Sequence, residues 1–500
     1  MPFEPVYENI AVSRQVVNAE EKIKTECRTE IPTESVAKIV NLYAQSVITE
    51  KDSAEGKIRY SGKITFFICY ENAEGALEKC ECGADFSGTL DLPEGCDCRF
   101  FMRAEVEKVE ADASGVKLAV SGYVAVKADI YACENVPALS RGEGLIVKQE
   151  EITAIKSLGI REGSYPLEDE TELNFKVAQV IGQSAQVAVT AVQCGVGSII
   201  VDGEVFLSVV MLQSGEKNDI IKENKSLPFR TEIECEEAMP SAKAVARATV
   251  RSFKTDIFVD EEAGLSRFTA NVLIKCEGEA FVEEGLSIAE DAFAPESVLE
   301  TERETAVSVK KCEVKSERTH VVQRIAIDEL PNGAYIAATC GERAEITSAV
   351  KEGDGISVSG VLSLNALALD SDGEPFSRKM EAPFVCNATD GGADERSVYA
   401  AVCGCPAKIV SANEAELAFD LIFTVYPESK SEFRFIKDVK AAGDKPVNDH
   451  AVSVYLALEN EDLWGLAKRL GQYPEALLET NPDLQFPLTG KERIVVYRQK

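Results

Sequence analysis

Apolar and polar residues alternate with a period of two along long stretches of this chain. Leu118, Val120, Val124, Val126 and Ile130 interleave with Lys117, Ser121, Tyr123 and Lys127. Phe268, Ala270, Val272 and Ile274 repeat the pattern further on, and Leu417, Phe419, Leu421, Phe423 and Val425 do so again near the end. Successive side chains of a strand point to opposite faces, so the pattern predicts half-buried strands with one solvated face. Helices are expected to be few. One is placed near Glu34–Ser46, where Pro32 and Thr33 suit an opening turn.

The alternating stretches belong to a larger repeat. Ile58 to Tyr70, Ile199 to Met211 and Ile356 to Ala368 are three β-rich runs, and each meets a glycine four residues in, at Gly62, Gly203 and Gly360. A glycine inside a strand marks a bulge or a close approach of backbone. An edge-like segment follows, with Pro228 and Phe229 in the second copy and Pro383 and Phe384 in the third. The period is well over roughly 100 residues, which means tandem domains and not solenoid units. They are placed at residues 30–140, 165–290 and 315–437, each an antiparallel β sandwich or partly open barrel. Acidic, glycine-containing links are expected around Ser140–Gly163 and Glu290–Glu304.

After a linker at Lys440–Asn448 the periodicity changes. Val452, Val454 and Leu456 alternate as a strand, and Asp462 is suited to cap a helix because its carboxylate accepts free N–H groups of the first turn. Leu463, Leu466, Ala467 and Leu470 then form one helical stripe. Gly471 stops that helix and Pro474 opens another, which ends before Asn481 and Pro482. Ile494, Val495 and Val496 close a small βααβ domain at residues 450–498. The fold class is therefore mainly β: three tandem antiparallel domains followed by a small α+β unit.

Composition narrows the function. The chain has 500 residues, too many for one core, with 85 acidic against 53 basic side chains and a net charge of -32. Phosphate backbones need clustered Lys and Arg, so nucleic acid is not an expected partner, and anionic membrane is disfavoured for the same reason. Neither an export signal nor an apolar run of membrane-spanning length stands out, which predicts a chain made and kept in a cytoplasm. Fifteen cysteines include the Cys-x-Cys pairs Cys80/Cys82, Cys96/Cys98 and Cys403/Cys405. That spacing departs from zinc patterns and no histidine lies near, so these read as half-buried strand residues in a reducing compartment. No metal or cofactor is expected.

Two resemblances follow from these residues. The glycine-marked tandem arrangement resembles the SPOCS domains of spore-coat proteins. The run Leu463, Trp464, Leu466, Ala467, Lys468, with Asn481, Pro482, Asp483 and Leu484 and the closing Ile494–Val496, is similar to a LysM domain. Glycan-binding LysM domains carry Gly-Asp-Thr where this chain has Asn460, Glu461 and Asp462, which disfavours chitin or peptidoglycan. Together the two halves resemble the SipL-type spore-coat morphogenetic family. The resemblance implies a non-enzymatic assembly scaffold, located in the mother-cell cytoplasm and recruited to the forespore surface. Its LysM domain would engage the morphogenetic ATPase of the coat's basement layer, and the β domains would recruit other coat proteins. The alternative is a glycan-binding protein of the cortex or cell wall.

No catalytic constellation competes with this reading. Of two histidines, His450 lies in the linker, so a nucleophile–base pair would rest on His320. There is no Walker-type loop and no His-Glu-x-x-His run. The candidate partner site lies in the C-terminal domain: Trp464, Lys468, Arg469, Asp462, Asn481 and Asp483. Trp464, the sole tryptophan, stands beside the helical stripe. It either half-covers the small core or serves as an exposed aromatic anchor of the kind favoured at interfaces, with Lys468 one turn along on the same side.

Overall fold

The computed structural model describes residues 3–215, 219–328, 330–331, 333–353, 355–389, 395–445 and 450–497. The chain is 79% strand and 4% helix, which makes it mainly β. Its sheets come from three successive units of one design. The first contains β1 (Glu4–Pro32), β2 (Val36–Ala54), β3 (Lys57–Asn72), β4 (Leu77–Asp91), β5 (Asp97–Asp112) and β6 (Lys117–Glu143). The second contains β7 (Ile146–Leu173), β8 (Val177–Cys194), β9 (Ser198–Gln213), β10 (Ile220–Glu234), β11 (Lys243–Asp260) and β12 (Leu265–Phe293). In the third, β13 (Ser297–Lys311) and β14 (Lys315–Ala326) share the role of one opening strand. β15 (Tyr335–Glu352), β16 (Gly355–Leu369) and β17 (Pro375–Thr389) follow, then β18 (Glu395–Gly404), β19 (Ala407–Ser411) and the long β20 (Glu414–Asp444).

In each unit the second, third and fourth strands form an antiparallel meander, and the last strand pairs with both the first and the fifth. The two sheets enclose a core. In the first unit Ile58, Ile64, Phe66 and Ile68 of β3 face Leu118, Val120, Val124 and Val126 of β6. The architecture is sandwich-like, with separate antiparallel sheets and no closed barrel.

The three glycines hold equivalent places. Gly62, Gly203 and Gly360 pair with Phe86, Phe229 and Phe384 on the next strand. On the preceding strand each opposes a residue that starts a bulge, at Ile48, Val189 and Ile346. The phenylalanine ring covers the glycine, a known device for a strand glycine. A Cβ on Gly203 would stand 2.5 Å from both the Ala188 carbonyl oxygen and the Phe229 ring. On Gly360 it would stand 2.4 Å from the Glu345 carbonyl oxygen and from Phe384.

Two expectations are corrected. The helix near Glu34–Ser46 is strand β2, preceded only by a 3-10 turn at Thr33–Ser35. β2 is covered on both faces: Ile39, Leu42 and Ala44 pack on the first sandwich, while Val40 and Tyr43 face the other units. A strand buried on both sides loses its alternation. The segments Ser140–Gly163 and Glu290–Glu304 are likewise not links, because β6, β7, β12 and β13 run through them. Their acidic residues line the solvated face of paired strands, with Ile152 and Ile288 turned inward. The part of the C-terminal linker at residues 446–448 lies outside the described residues.

The units meet around a common centre. Cys69, Val210 and Leu367 stand seven residues beyond the three glycines, and all three fall in one buried cluster. Past the sandwiches, β1/β6, β7/β12 and β13/β20 continue as two-stranded ribbons. Their apolar faces converge through Ile10, Val136, Ile152, Ile288, Ala306 and Phe435. β1 also pairs with β13 at Ser13 and Val307, which joins the first unit to the third.

Charge sits at this centre too. Arg247 of the second unit makes a 2.7 Å ion pair with Asp129 of the first. Its guanidinium lies 4.6 Å from the centroid of Phe101 and 4.8 Å from that of Tyr399, a third-unit ring. The Tyr399 hydroxyl donates to Asp129 at 2.8 Å and accepts from Arg103 at 2.7 Å. Burial pushes the Asp129 carboxyl up, but Arg247 and Arg103 outweigh it and hold the group below the usual carboxylate range.

Two stability predictions follow from this packing. Gly203→Ala should cost about 1–3 kcal/mol, because a carbonyl and an aromatic ring must both give way; the urea midpoint reads it. Asp129→Ala strands the Arg247 cation among the rings of Phe101, Tyr399 and Tyr426 and should cost about 3–5 kcal/mol. A midpoint shift for Asp129→Ala no larger than that of an exposed carboxylate such as Asp91 would contradict this role.

Candidate functional site

The C-terminal unit contains β21 (Val452–Leu456), α1 (Leu463–Leu470), α2 (Pro474–Thr480) and β22 (Arg493–Tyr497), with the two strands antiparallel. Its core is Leu466, Ala467, Leu477, Leu488 and Ile494, completed by Ile146 and Phe293 from β7 and β12. The main body therefore lends apolar surface to a module too small to bury much of its own.

Asp462 caps α1, accepting a 2.7 Å hydrogen bond from the Gly465 backbone N–H. Asn481 is buried and internal. Its amide donates to the carbonyls of Leu477 and Val495 at 2.9 and 2.8 Å, and its side-chain oxygen accepts from Val495 N at 2.7 Å. It thereby ties α2 to β22. Arg469 forms a two-pronged pair with Glu461, both contacts at 2.7 Å, and the hydrogen-bonded guanidinium lowers the Glu461 pKa. Asp483 is exposed on the loop after α2.

Trp464 and Lys468 point at the main body. The Trp464 indole N–H donates to Asp291 at 2.8 Å, and the Lys468 ammonium reaches both oxygens of that carboxylate at 2.7 Å. Trp464 also meets Phe293 edge-on, with centroids 5.2 Å apart. Burial pushes the Asp291 carboxyl up, but these two donors prevail and hold it below the usual range. Asp291 additionally binds Arg303 of β13. The structure thus brings Trp464 and Lys468 together on one anion, while Arg469, Asp462 and Asn481 serve the module's own architecture.

The surface turned outward is a different one. Directly paired strand residues share a face, and the pairs Val452/Tyr497, Val454/Val495 and Leu456/Arg493 place an apolar stripe on the open side of the ribbon. Val454 is 61% exposed and Leu456 65%. Leu458 and Tyr497 extend the stripe. Sequence reasoning treated Val452, Val454 and Leu456 as ordinary strand positions. The available signal was that β21 is apolar at every second residue while its intervening Tyr455 also packs on the core.

Residues 35–114 match the family model described as SipL, SPOCS domain. The matched segment spans β2 to β5 of the first unit, including Gly62 and its partner Phe86. The match relates this segment to a family of sporulation proteins. No curated protein and no solved structure matches the chain.

Elsewhere the chemistry is sparse. His320 contacts Asp420 at 2.7 Å, as cross-strand neighbours on an exposed face of β14 and β20. A cavity of about 960 Å³ opens between the three units, lined by Lys51, Arg103, Lys275, Glu277 and Arg343 among others. Its charges are engaged in pairs, such as Lys51 with Glu277 at 2.6 Å and Arg343 with Glu345 at 3.2 Å. Among the described residues no helix is long and apolar enough to cross a membrane.

Because Trp464 is the only tryptophan, its fluorescence reports docking of the module. Asp291→Ala should weaken docking by about 1.5–3 kcal/mol, the usual worth of hydrogen bonds to a charged group, and shift emission to the red. A carboxyl lowered in the docked state stabilises docking above its free pKa of about 3.9 and loses that effect as pH falls through the lowered value. Emission should hold steady from neutral pH to about pH 4 and redden only below it.

Proposed function

We infer that this chain is a non-enzymatic scaffold of spore-coat assembly, made in the mother cell and recruited to the forespore surface. Its second and third units are further SPOCS domains, and its βααβ module is a LysM domain that docks onto the morphogenetic ATPase of the coat's basement layer. The family match over residues 35–114 supports the sporulation setting. The recurrence of the glycine–phenylalanine pair and the opposing bulge in all three units supports the tandem reading.

The single observation that carries the docking role is the apolar stripe Val452, Val454, Leu456, Leu458 and Tyr497 on the module's open face. Contiguous exposed apolar surface favours protein contacts. The module is also nearly neutral, with six basic and seven acidic residues over 452–500, in a chain of net charge -32. A partner approaching there meets little of the repulsion that the acidic body presents to other acidic proteins. Trp464 and Lys468 flank the module on its docked side and would join the contact only if Asp291 let go.

The test uses purified basement-layer ATPase and the full chain. Val454→Glu with Leu456→Glu places two charges on exposed strand positions and should weaken binding at least about tenfold, a loss near 1.4 kcal/mol, while Trp464 emission stays unchanged. Wild-type binding by that variant would exclude the stripe. Saturable binding of the chain to peptidoglycan or chitin oligomers, with none to the ATPase, would replace the scaffold reading with the carbohydrate one.

A further inference from the structure

The first sandwich has an open side formed by two strand edges. β4 pairs only with β3, and β1 pairs with β6 while its outer side meets β13 only at Ser13. Three cysteines lie on these edges. Cys27 of β1 pairs in register with Val120, a buried core residue, so its sulfur is on the inner face. Cys80 and Cys82 of β4 pair with Ile68 and Phe66, also core residues, and so face inward from the opposite sheet. All three pack against the same core and are partly exposed.

β1 and β4 pack along each other, and Glu21 of β1 closes on Gly88 of β4, where a Cβ would stand 2.5 Å from its carboxylate. Cys27 lies further along β1, and Cys82 and Cys80 lie correspondingly further back along β4, so the three sulfurs face one another on this side and Cys82 feels Cys27. Further back along β1, the Tyr60 hydroxyl of β3 donates to Glu21 at 2.5 Å, so the two sheets touch along this side. By contrast Cys69, Cys194, Cys235, Cys276, Cys340, Cys386 and Cys405 are buried.

We propose that Cys27 and Cys82 form an oxidation site: a hydroperoxide converts them into a disulfide that staples the two sheets of the first sandwich, with Cys80 as the reserve partner. The Cys27 sulfur attacks the peroxide O–O bond and becomes a sulfenic acid, while the other oxygen leaves as an alcohol or as water. The Cys82 sulfur then attacks the Cys27 sulfur, forming the S–S bond and expelling hydroxide, which takes the Cys82 proton and leaves as water. Two electrons pass from the thiol pair to the peroxide.

The experiment treats the folded, full-length chain with dilute hydrogen peroxide, blocks free thiols, and maps peptides without reduction. The first cross-link to appear should join Cys27 to Cys82 within one chain, with a mass loss of two hydrogens. The oxidised chain should melt at higher temperature than the reduced one, and a thiol reductant should reverse the rise. Cys27→Ser should remove the link, and Cys82→Ser should transfer it to Cys80. The wild-type map stands alone if a variant fails to fold. A first link that omits either sulfur, or one that joins two chains, overturns the proposal.

Discussion

One buried guanidinium holds the arrangement of the three units together. Arg247 comes from the second unit, its carboxylate partner Asp129 and the ring of Phe101 from the first, and the rings of Tyr399 and Tyr426 from the third. Withdrawing such a cation from water is costly, and the cost is offset only when the anion and all the rings are in place. The contact therefore discriminates against any arrangement of the units that misplaces one of them. Its neighbours work the same way: Tyr43 of the first unit bonds to the backbone of Gln183 in the second, and Gln186 of the second bonds to the backbones of Glu342 and Val402 in the third. The third returns to the first through Arg343 and Val106. The interfaces close a cycle.

Within that cycle, the C-terminal module is an appendage fixed at one point. Its core is finished by Ile146 and Phe293, and a single carboxylate, Asp291, receives both its tryptophan and its lysine. Position and orientation are thus set by one apolar contact and one anion. The exposed strand face is left directed away from the body, which suits a module whose task is outside it.

Much of this was legible in the sequence, for physical reasons. Period-two alternation survives where one face of a sheet is partly wet, which is why Leu417, Phe419 and Leu421, alternating with Glu416, Ala418 and Asp420, read clearly as strand. The three glycines were readable because a ring and a bulge leave no room for a Cβ. The short helices α1 and α2 were readable because Asp462, Gly471 and Pro474 punctuate them. Glu34–Ser46 was not, since β2 is covered on both faces. The segments at 140–163 and 290–304 were not, since acidic residues on the wet face of a ribbon look like a linker. Trp464 and Lys468 were read from the sequence as partner-binding residues, and here they bind a carboxylate of the chain itself. Their partner Asp291 lies more than 170 positions away in another unit, and nothing local in sequence points to it.

The ribbon junction has a consequence for the order in which the molecule is built. Ile10 of β1 and Phe435 of β20 belong to one buried cluster, so almost the whole chain must leave the ribosome before that cluster can close. The sandwiches, whose partners lie within one unit, can collapse earlier as each emerges, since domains fold as units during synthesis. The amino-terminal half of β1 must meanwhile wait with its apolar face uncovered until the third unit arrives. Contacts of such long sequence separation form slowly. For this chain the period of greatest exposure to misassembly is set by how long translation takes to travel from β1 to β20.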